Sequence, residues 1–361
     1  MKALVSNRNI YTRLINASRS KAIGGQGGRV QNDVPIPTIS PDQILVKVKA
    51  VALNPTDFKH LDVISPPNSI IGCDYAGVVH QVGDAVKTRW EIGDRVAGFV
   101  HGGLYPDKGA FAEYLKIDAD LAWRVPNAVS DTDATTYGVS AVTAMLNLNV
   151  RHSLPFVDGS VKTTPRNEAI FFYAGSTSVG LYQLQIAKAA GYTVITTASP
   201  RSFDLVKRYG ADAVYDYNSP TVAADIVKDY PNITKAVDCF SEGNSTSICA
   251  EVLKRNGGKV VTLLPNGKSS TPGVEYELVM AYTAFGHSFQ WLPPIGPKFG
   301  AQPADREALV HFYEVLPRVT HILKPIPTFE QKPGFEGILE GLDKLRAGQV
   351  VGGKQVVKLG T

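Results

Sequence analysis

The 361-residue sequence is poor in cysteine, with only Cys73, Cys239 and Cys249. Three cysteines cannot build a disulfide framework, which points to a reducing compartment and a cytoplasmic location. They form no CxxC pair, so there is no sequence-local zinc site and no metal is expected. Long apolar runs are also lacking. MKALVSNRNI at the N-terminus has no signal-peptide core, and nothing later is long enough to span a bilayer. Charge is neither abundant nor clustered. The 37 Lys and Arg against 33 Asp and Glu leave a net charge of +4, with no basic run to meet nucleic acid or an anionic membrane. What is present is an ordinary globular composition, 44% apolar, in a chain long enough for two domains.

Residues 1–125 carry short alternating runs. ILVKVKAVAL (44–53) has the period of a half-buried strand, and residues 72–86 and 91–100 are β runs punctuated by Gly-Asp turns. This stretch reads as a small β-barrel-like domain. Residues 169–265 instead alternate strand and helix from AIFFYA to GKVVTLL, which predicts a parallel doubly wound sheet. RHSLPFVDGSVKTTPRNE (151–168) is polar and reads as a surface loop inserted before that sheet. The tail at 335–359 reads as a helix, a glycine-rich loop and a final strand returning to the first domain.

AIFFYAGSTSVG (169–180) has the strand-turn-helix layout of a dinucleotide site but few glycines. Gly175 permits a tight turn and Gly180 a close approach of helix to strand. Ser176, Thr177 and Ser178 offer hydroxyls to phosphate, and the helix N-terminus, beginning near Val179, offers N–H groups. A tight turn with Ser/Thr capping explains the same residues without a ligand; the repeated βαβ context favours the nucleotide site. An acid usually ends the second strand of an NAD-binding sheet, to hold the ribose 2′-hydroxyl. Here TTASPRSF (196–203) has none, and Ser199, Arg201 and Ser202 are placed to hold a 2′-phosphate, which predicts NADPH.

VALNPTDFKH (51–60), GCDYAGVV (72–79), IGDRVAGF (92–99), GAFAEY (109–114), VTAM (142–145) and AGSTSVG, in this order, resemble the medium-chain dehydrogenase/reductase superfamily over nearly the whole chain. The resemblance is to its zinc-independent quinone and enoyl reductase branch. TASPRSFDLVKRYGADAVYDYNSP (197–220) and GGKQVVKL (352–359) look most similar to fungal trans-acting enoyl reductases, stand-alone partners of polyketide synthases. The implied fold is α/β: a GroES-like barrel domain over 1–125, completed by 325–361, and a Rossmann domain over 126–324. Zinc members carry a cysteine at the position of Asn54 and a His-Glu pair at Cys73-Asp74, and the cysteine-rich lobe is absent from 97–111.

The resemblance also implies roles. Lys59 lies at the active site, where its ammonium could hold a thioester carbonyl or enolate oxygen; Thr143 touches substrate or cofactor, and Tyr137 is a candidate proton donor. Asn54 and Thr56 border the cofactor, Tyr217 approaches the 2′-phosphate, Leu264 and Pro265 follow the strand beside the nicotinamide, and Val351 and Gly352 lie in a loop that contacts cofactor. Phe285, Gly286, His287, Ser288 and Phe289 resemble a substrate-lining stretch. SFQWLPPIGPKFG (288–300) puts three prolines where many relatives pair edge strands into a dimer, which predicts a monomer. The implied activity is NADPH-dependent reduction of an α,β-unsaturated thioester delivered by a polyketide synthase. A free-standing quinone or enone reductase and a non-catalytic NADPH-binding accessory protein remain as alternatives.

Overall fold

A computed structural model describes residues 1–19, 22–23, 27–159 and 165–360. Strand β1 (Ala3–Ser6) is followed by helix α1 (Ile10–Ala17) and pairs antiparallel with β2 (Gly28–Gln31). The alternating run forms β3 (Gln43–Ala52), the backbone of the barrel. It is long enough to pair with β4 (Asp74–Val82), β6 (Tyr114–Asp118) and, at its far end, the last strand of the chain. Register shifts between Leu45 and Val46 and between Val48 and Ala50 bend the β3–β4 pair around the core. β5 (Arg95–Phe99) lies between β4 and β7 (Ala122–Arg124), and the short helix α2 (Pro55–Lys59) leaves the end of β3.

Helices α3 (Asp131–Ala134) and α4 (Val139–Met145) lead into the second domain. There β8 (Ala169–Tyr173), α5 (Ser178–Ala189), β9 (Thr193–Ala198), α6 (Phe203–Arg208), β10 (Ala213–Asp216), α7 (Val222–Asp229), β11 (Lys235–Asp238), α8 (Ser245–Leu253) and β12 (Gly258–Thr262) alternate as the sequence predicts. The parallel sheet gains one further strand, β13 (Val274–Leu278), in the order β10-β9-β8-β11-β12-β13. The order reverses between β8 and β11, so the carboxyl ends of these two strands open the crevice where such sheets bind ligands.

The chain then forms a two-residue hairpin of β14 (Phe289–Gln290) and β15 (Lys298–Phe299), followed by α9 (Pro303–Val319). β16 (Thr328–Glu330), α10 (Gly334–Arg346) and β17 (Lys354–Lys358) return to the barrel, where β17 pairs antiparallel with β3. One continuous buried cluster runs from the barrel (Val46, Phe99, Phe111) through α4 (Val142, Met145) to α5 (Leu181, Leu184), so the two domains share packing; a second fills the other face of the sheet.

Two differences from the sequence reading have local causes. VEYEL carries two glutamates in five residues and gave no strand signal; it forms the sheet edge because one side still pairs with β12. The proline-rich 288–300 segment is not that edge, since it folds on itself as the β14–β15 hairpin. Residues 152–159 and 165–168 are irregular, as the polar linker predicts; 160–164 lie outside the described residues.

His152, at the end of the π-helical turn Leu146–Arg151 that continues α4, places Nε2 3.1 Å from Ala236 O on β11. Burial lowers its pKa to about 4 from the ordinary 6.5. Between these values the unfolded chain binds a proton that the folded chain does not, so this histidine makes stability fall as pH falls through the window. The full effect is up to about 3 kcal/mol. Urea unfolding followed from pH 6.5 to pH 4 should show a shallower loss of stability in His152→Gln than in the wild type.

Candidate active site

The nucleotide turn is built by steric necessity. A Cβ on Gly175 would collide with the Thr196 hydroxyl of the neighbouring strand, and one on Gly180 with the Gly175 carbonyl. Strand and helix can therefore meet only with glycine at both places. Ala174 takes a φ of 60°, tolerated by its small side chain, and its N–H bonds Thr197 Oγ1 at 3.0 Å.

The structure corrects the expected role of Thr177. Its hydroxyl donates to Ala174 O at 3.0 Å and accepts from Gly180 N at 3.1 Å, so it caps α5 and is not a free phosphate donor. The Ser178 hydroxyl accepts a 3.0 Å bond from Ser140 on α4. The Ser176 hydroxyl has no partner among the described residues. As the first residues of α5, Ser178 and Val179 have N–H groups with no intrahelical acceptor. These three groups, and the Ser178 hydroxyl proton, which the bond from Ser140 leaves free, are donors the turn can offer an anion.

The second strand ends as the sequence predicts. Arg201 is exposed on a 3₁₀ turn, Pro200–Ser202, and forms no ion pair among the described residues. Ser199 and the buried Ser202 bring their hydroxyl oxygens within 3.4 Å of each other, and Tyr217 is exposed after β10. The C-terminal loop joins them, since a Cβ at Gly352 would lie 3.0 Å from Leu205 of α6; Val351 beside it is exposed. Leu264 and Pro265 lie at the carboxyl end of β12, in a loop tied to its neighbour by the 2.8 Å bond from Leu263 N to Ser241 Oγ.

On the barrel side, Asn54 is not available to a ligand through its side chain. Its amide donates to Asp74 Oδ2 at 2.9 Å and accepts from the Lys354 ammonium at 2.7 Å. Lys354 also bonds Asp74, with side chains 2% and 0% exposed, and reaches Ser140 Oγ at 3.1 Å. Val139 N donates to the other Asp74 oxygen at 2.7 Å, and Gly138 has no room for a Cβ against that carboxylate. Sequence reasoning missed this cluster. Lys354 opens a strand whose alternation gives no sign that the lysine is buried.

Thr56 and Lys59 share one face of α2 at i and i+3 spacing. Lys59 is half-buried and makes no hydrogen bond or ion pair among the described residues. Thr56 Oγ1 lies 2.9 Å from the Tyr282 hydroxyl and 3.2 Å from His60 Nδ1. Tyr282 Oη is in turn 3.3 Å from the buried Cys73 thiol, whose pKa burial pushes well up. Thr143 is buried on α4, three residues beyond Ser140 and so on the helix face that meets the nucleotide turn.

Tyr137 is a correction. Its hydroxyl donates to Leu323 O at 2.6 Å and its ring packs between Trp123 and Tyr182, fully buried, so it is a packing residue with no proton to present. The 285–289 stretch divides. Phe285 and Phe289 pack against His101, at 5.3 and 5.2 Å between ring centroids, whereas His287 and Ser288 are exposed and Gly286, with φ 76°, makes the turn between them.

The donor set does not suit zinc. Asp74 and Asn54 already hold the Lys354 cation, and among the described residues no three His, Cys, Asp or Glu side chains cluster as metal ligands.

The model of the alcohol dehydrogenase GroES-like domain matches residues 40–127, and that of the zinc-binding dehydrogenase family matches 178–280. A mycobacterial protein solved in complex with NADPH has the same fold, at a TM-score of 0.73 and 20% identity over 99% of both chains. Barrel, parallel sheet and nucleotide turn together are those of a medium-chain dehydrogenase/reductase. Trans-enoyl reductase resD of Aspergillus sclerotiorum is 37% identical over 93% of this chain and 98% of its own length. Trans-enoyl reductase caaB of Aspergillus niger is 35% identical over 94% and 97%. Within that superfamily the chain belongs to the trans-enoyl reductases.

Replacing Lys354 by methionine would leave Asp74 charged and buried, at a cost of about 3–5 kcal/mol. Chemical denaturation of Lys354→Met should register this loss. Adding Asp74→Leu should restore part of it, since the uncompensated charge is then gone.

Proposed function

We propose that the protein is an NADPH-dependent, zinc-independent enoyl reductase that reduces the α,β-unsaturated thioester of a polyketide intermediate, acting in trans with a polyketide synthase. The observation that carries this reading is Lys59: a half-buried ammonium with no partner among the described residues, beside Thr56, in a chain of trans-enoyl reductase ancestry. When bound, NADPH supplies a hydride to the β-carbon. The Ser176 hydroxyl and the N–H groups of Ser178 and Val179 hold the pyrophosphate. Arg201 takes the 2′-phosphate as a bidentate donor, and Ser199 supports it. Lys59 and Thr56 receive the negative charge that develops on the thioester oxygen. No metal is needed for that step, because an ammonium and a hydroxyl supply the electrostatic stabilisation.

NADPH oxidation with a short α,β-unsaturated acyl pantetheine thioester, run beside a simple quinone, tests the reading. Turnover of the thioester is expected, with Lys59→Ala slower by about 100-fold. Turnover of the quinone alone would replace the reading with that of a free-standing quinone reductase.

Arg201→Ala is expected to weaken NADPH binding by tenfold or more and to leave NADH binding nearly unchanged, as read by fluorescence titration. An Arg–phosphate pair of about 1.5–3 kcal/mol sets that scale. Equal loss for both cofactors would contradict the 2′-phosphate role.

A further inference from the structure

Among the described residues no side chain holds the Lys59 ammonium, so its place is set by the backbone that carries it. That backbone is a joint. α2 ends at Lys59, and a π-helical turn, His60–Ile64, follows with no residue between. The near end is fixed within α2: Asp57 Oδ2 accepts the Asn54 N–H at 2.7 Å, and the His60 N–H bonds back to Thr56 O and Asp57 O.

The far end has a deficit that the sequence explains. Ser65 N donates to His60 O at 2.9 Å, but Pro66 and Pro67 come next and have no N–H to give. The two N–H groups after them are committed elsewhere, Asn68 to Ser6 O at 2.8 Å and Ser69 to Ser6 Oγ at 3.1 Å. The carbonyls of Leu61, Asp62, Val63 and Ile64 therefore receive no donor from the chain that follows them.

The N-terminal segment supplies all four. Arg8 Nε donates to Leu61 O at 3.0 Å and Asn16 Nδ2 to Asp62 O at 2.9 Å. Arg13 donates through Nε to Val63 O at 2.9 Å and through Nη2 to Ile64 O at 2.6 Å. The Asp62 side chain is gripped as well. Arg346 of α10 reaches its two oxygens at 2.8 and 3.1 Å, and Arg8 reaches one of them at 3.3 Å. The same Arg346 guanidinium lies 5.4 Å from the centre of the Phe58 ring, next to Lys59 in the chain.

α1 itself is turned the wrong way for packing. Its buried residues are Arg13 and Asn16, while Tyr11 and Ile15 are 75% and 47% exposed. A helix held by the hydrophobic effect turns its apolar stripe inward. This one turns its hydrogen-bond donors inward, where they are costly unless bonded, and the turn carbonyls bond them.

We propose that Arg8, Arg13, Asn16 and Arg346 are positioning residues for the reduction: they fix the π-helical turn and so set where Lys59 stands. The inference rests on the enoyl reductase reading above. The four act through Lys59. Without their donors the turn frays from its far end, and the last residue of α2 loses its anchor.

The test is a double-mutant cycle on NADPH-dependent turnover of a short α,β-unsaturated acyl pantetheine thioester. Arg13→Met keeps the unbranched stem and removes every donor. In the otherwise wild-type chain it is expected to lower kcat by about tenfold or more, while NADPH affinity, read by fluorescence titration, stays the same. In the Lys59→Ala chain it is expected to lower kcat no further, because the group it positions is gone. A general loosening of the fold would cost the same factor in both backgrounds, and that outcome overturns the proposal. An Arg13→Met variant with wild-type kcat overturns it too. Should Arg13→Met lose NADPH binding, Asn16→Leu, which removes a single donor, goes through the same cycle and is judged in the same way. Lys59→Ala at full rate overturns the role given to Lys59, and the positioning with it. A wild type that leaves the thioester unreduced overturns the enoyl reductase reading itself.

Discussion

The buried pair of Lys354 and Asp74 is the interaction on which the rest of the site depends. Removing two charges from water costs several kcal/mol each, and their mutual attraction offsets this only where the remaining hydrogen-bonding capacity is satisfied. Here Asn54 and Ser140 complete the ammonium, and Asn54 and Val139 N complete the carboxylate. The groups come from the last strand, a central barrel strand, the start of α2 and the start of α4. Removing any one leaves a buried polar group without its partner, so the four segments are held in one arrangement. Through Ser140 the same cluster reaches Ser178 at the head of the nucleotide helix. The position of the 174–180 turn relative to α2 is thus tied to one fully desolvated ion pair.

The nucleotide turn works with few glycines because the pressures on it are unequal. Close contact with Thr196 and with its own turn demands glycine at positions 175 and 180 only. At position 177, where many fingerprints have another glycine, the threonine serves as a helix cap. A threonine here orders the loop before any ligand arrives, at the cost of one hydroxyl that a phosphate could otherwise use. The open donors are then the Ser176 and Ser178 hydroxyls and the first N–H groups of α5. Such a turn relies on the helix terminus for its attraction to an anion more than on side chains.

The domain junction around Tyr282 is mostly aromatic. Tyr282, Phe285, Phe289 and Trp291 from the second domain meet His60, Phe99 and His101 from the barrel. These rings exclude water, which strengthens the few polar contacts among them. The Tyr282 bond to Thr56 is one of those contacts. The shared packing joins the parallel-sheet domain and the barrel.

Local pattern determined much of this protein. Period-two alternation at 44–53 and the repeated strand-helix alternation from 169 specify the barrel and the parallel sheet, because burial of one face or one stripe is a local demand. The missing acid after β9 and the exposed Arg201 were equally legible, since both sit within a few residues of a strand end. Tertiary structure alone decided the rest. Lys354 meets Asn54 across 300 positions, and Tyr282 meets Thr56 across 226. No local period announces either. The same holds for Tyr137, a plausible acid by position that folding committed to Leu323 O, and for Thr177, turned from ligand donor to helix cap. A residue's type fixes which bonds it can make, but the partner that reaches it first in the folded chain decides which one it does make.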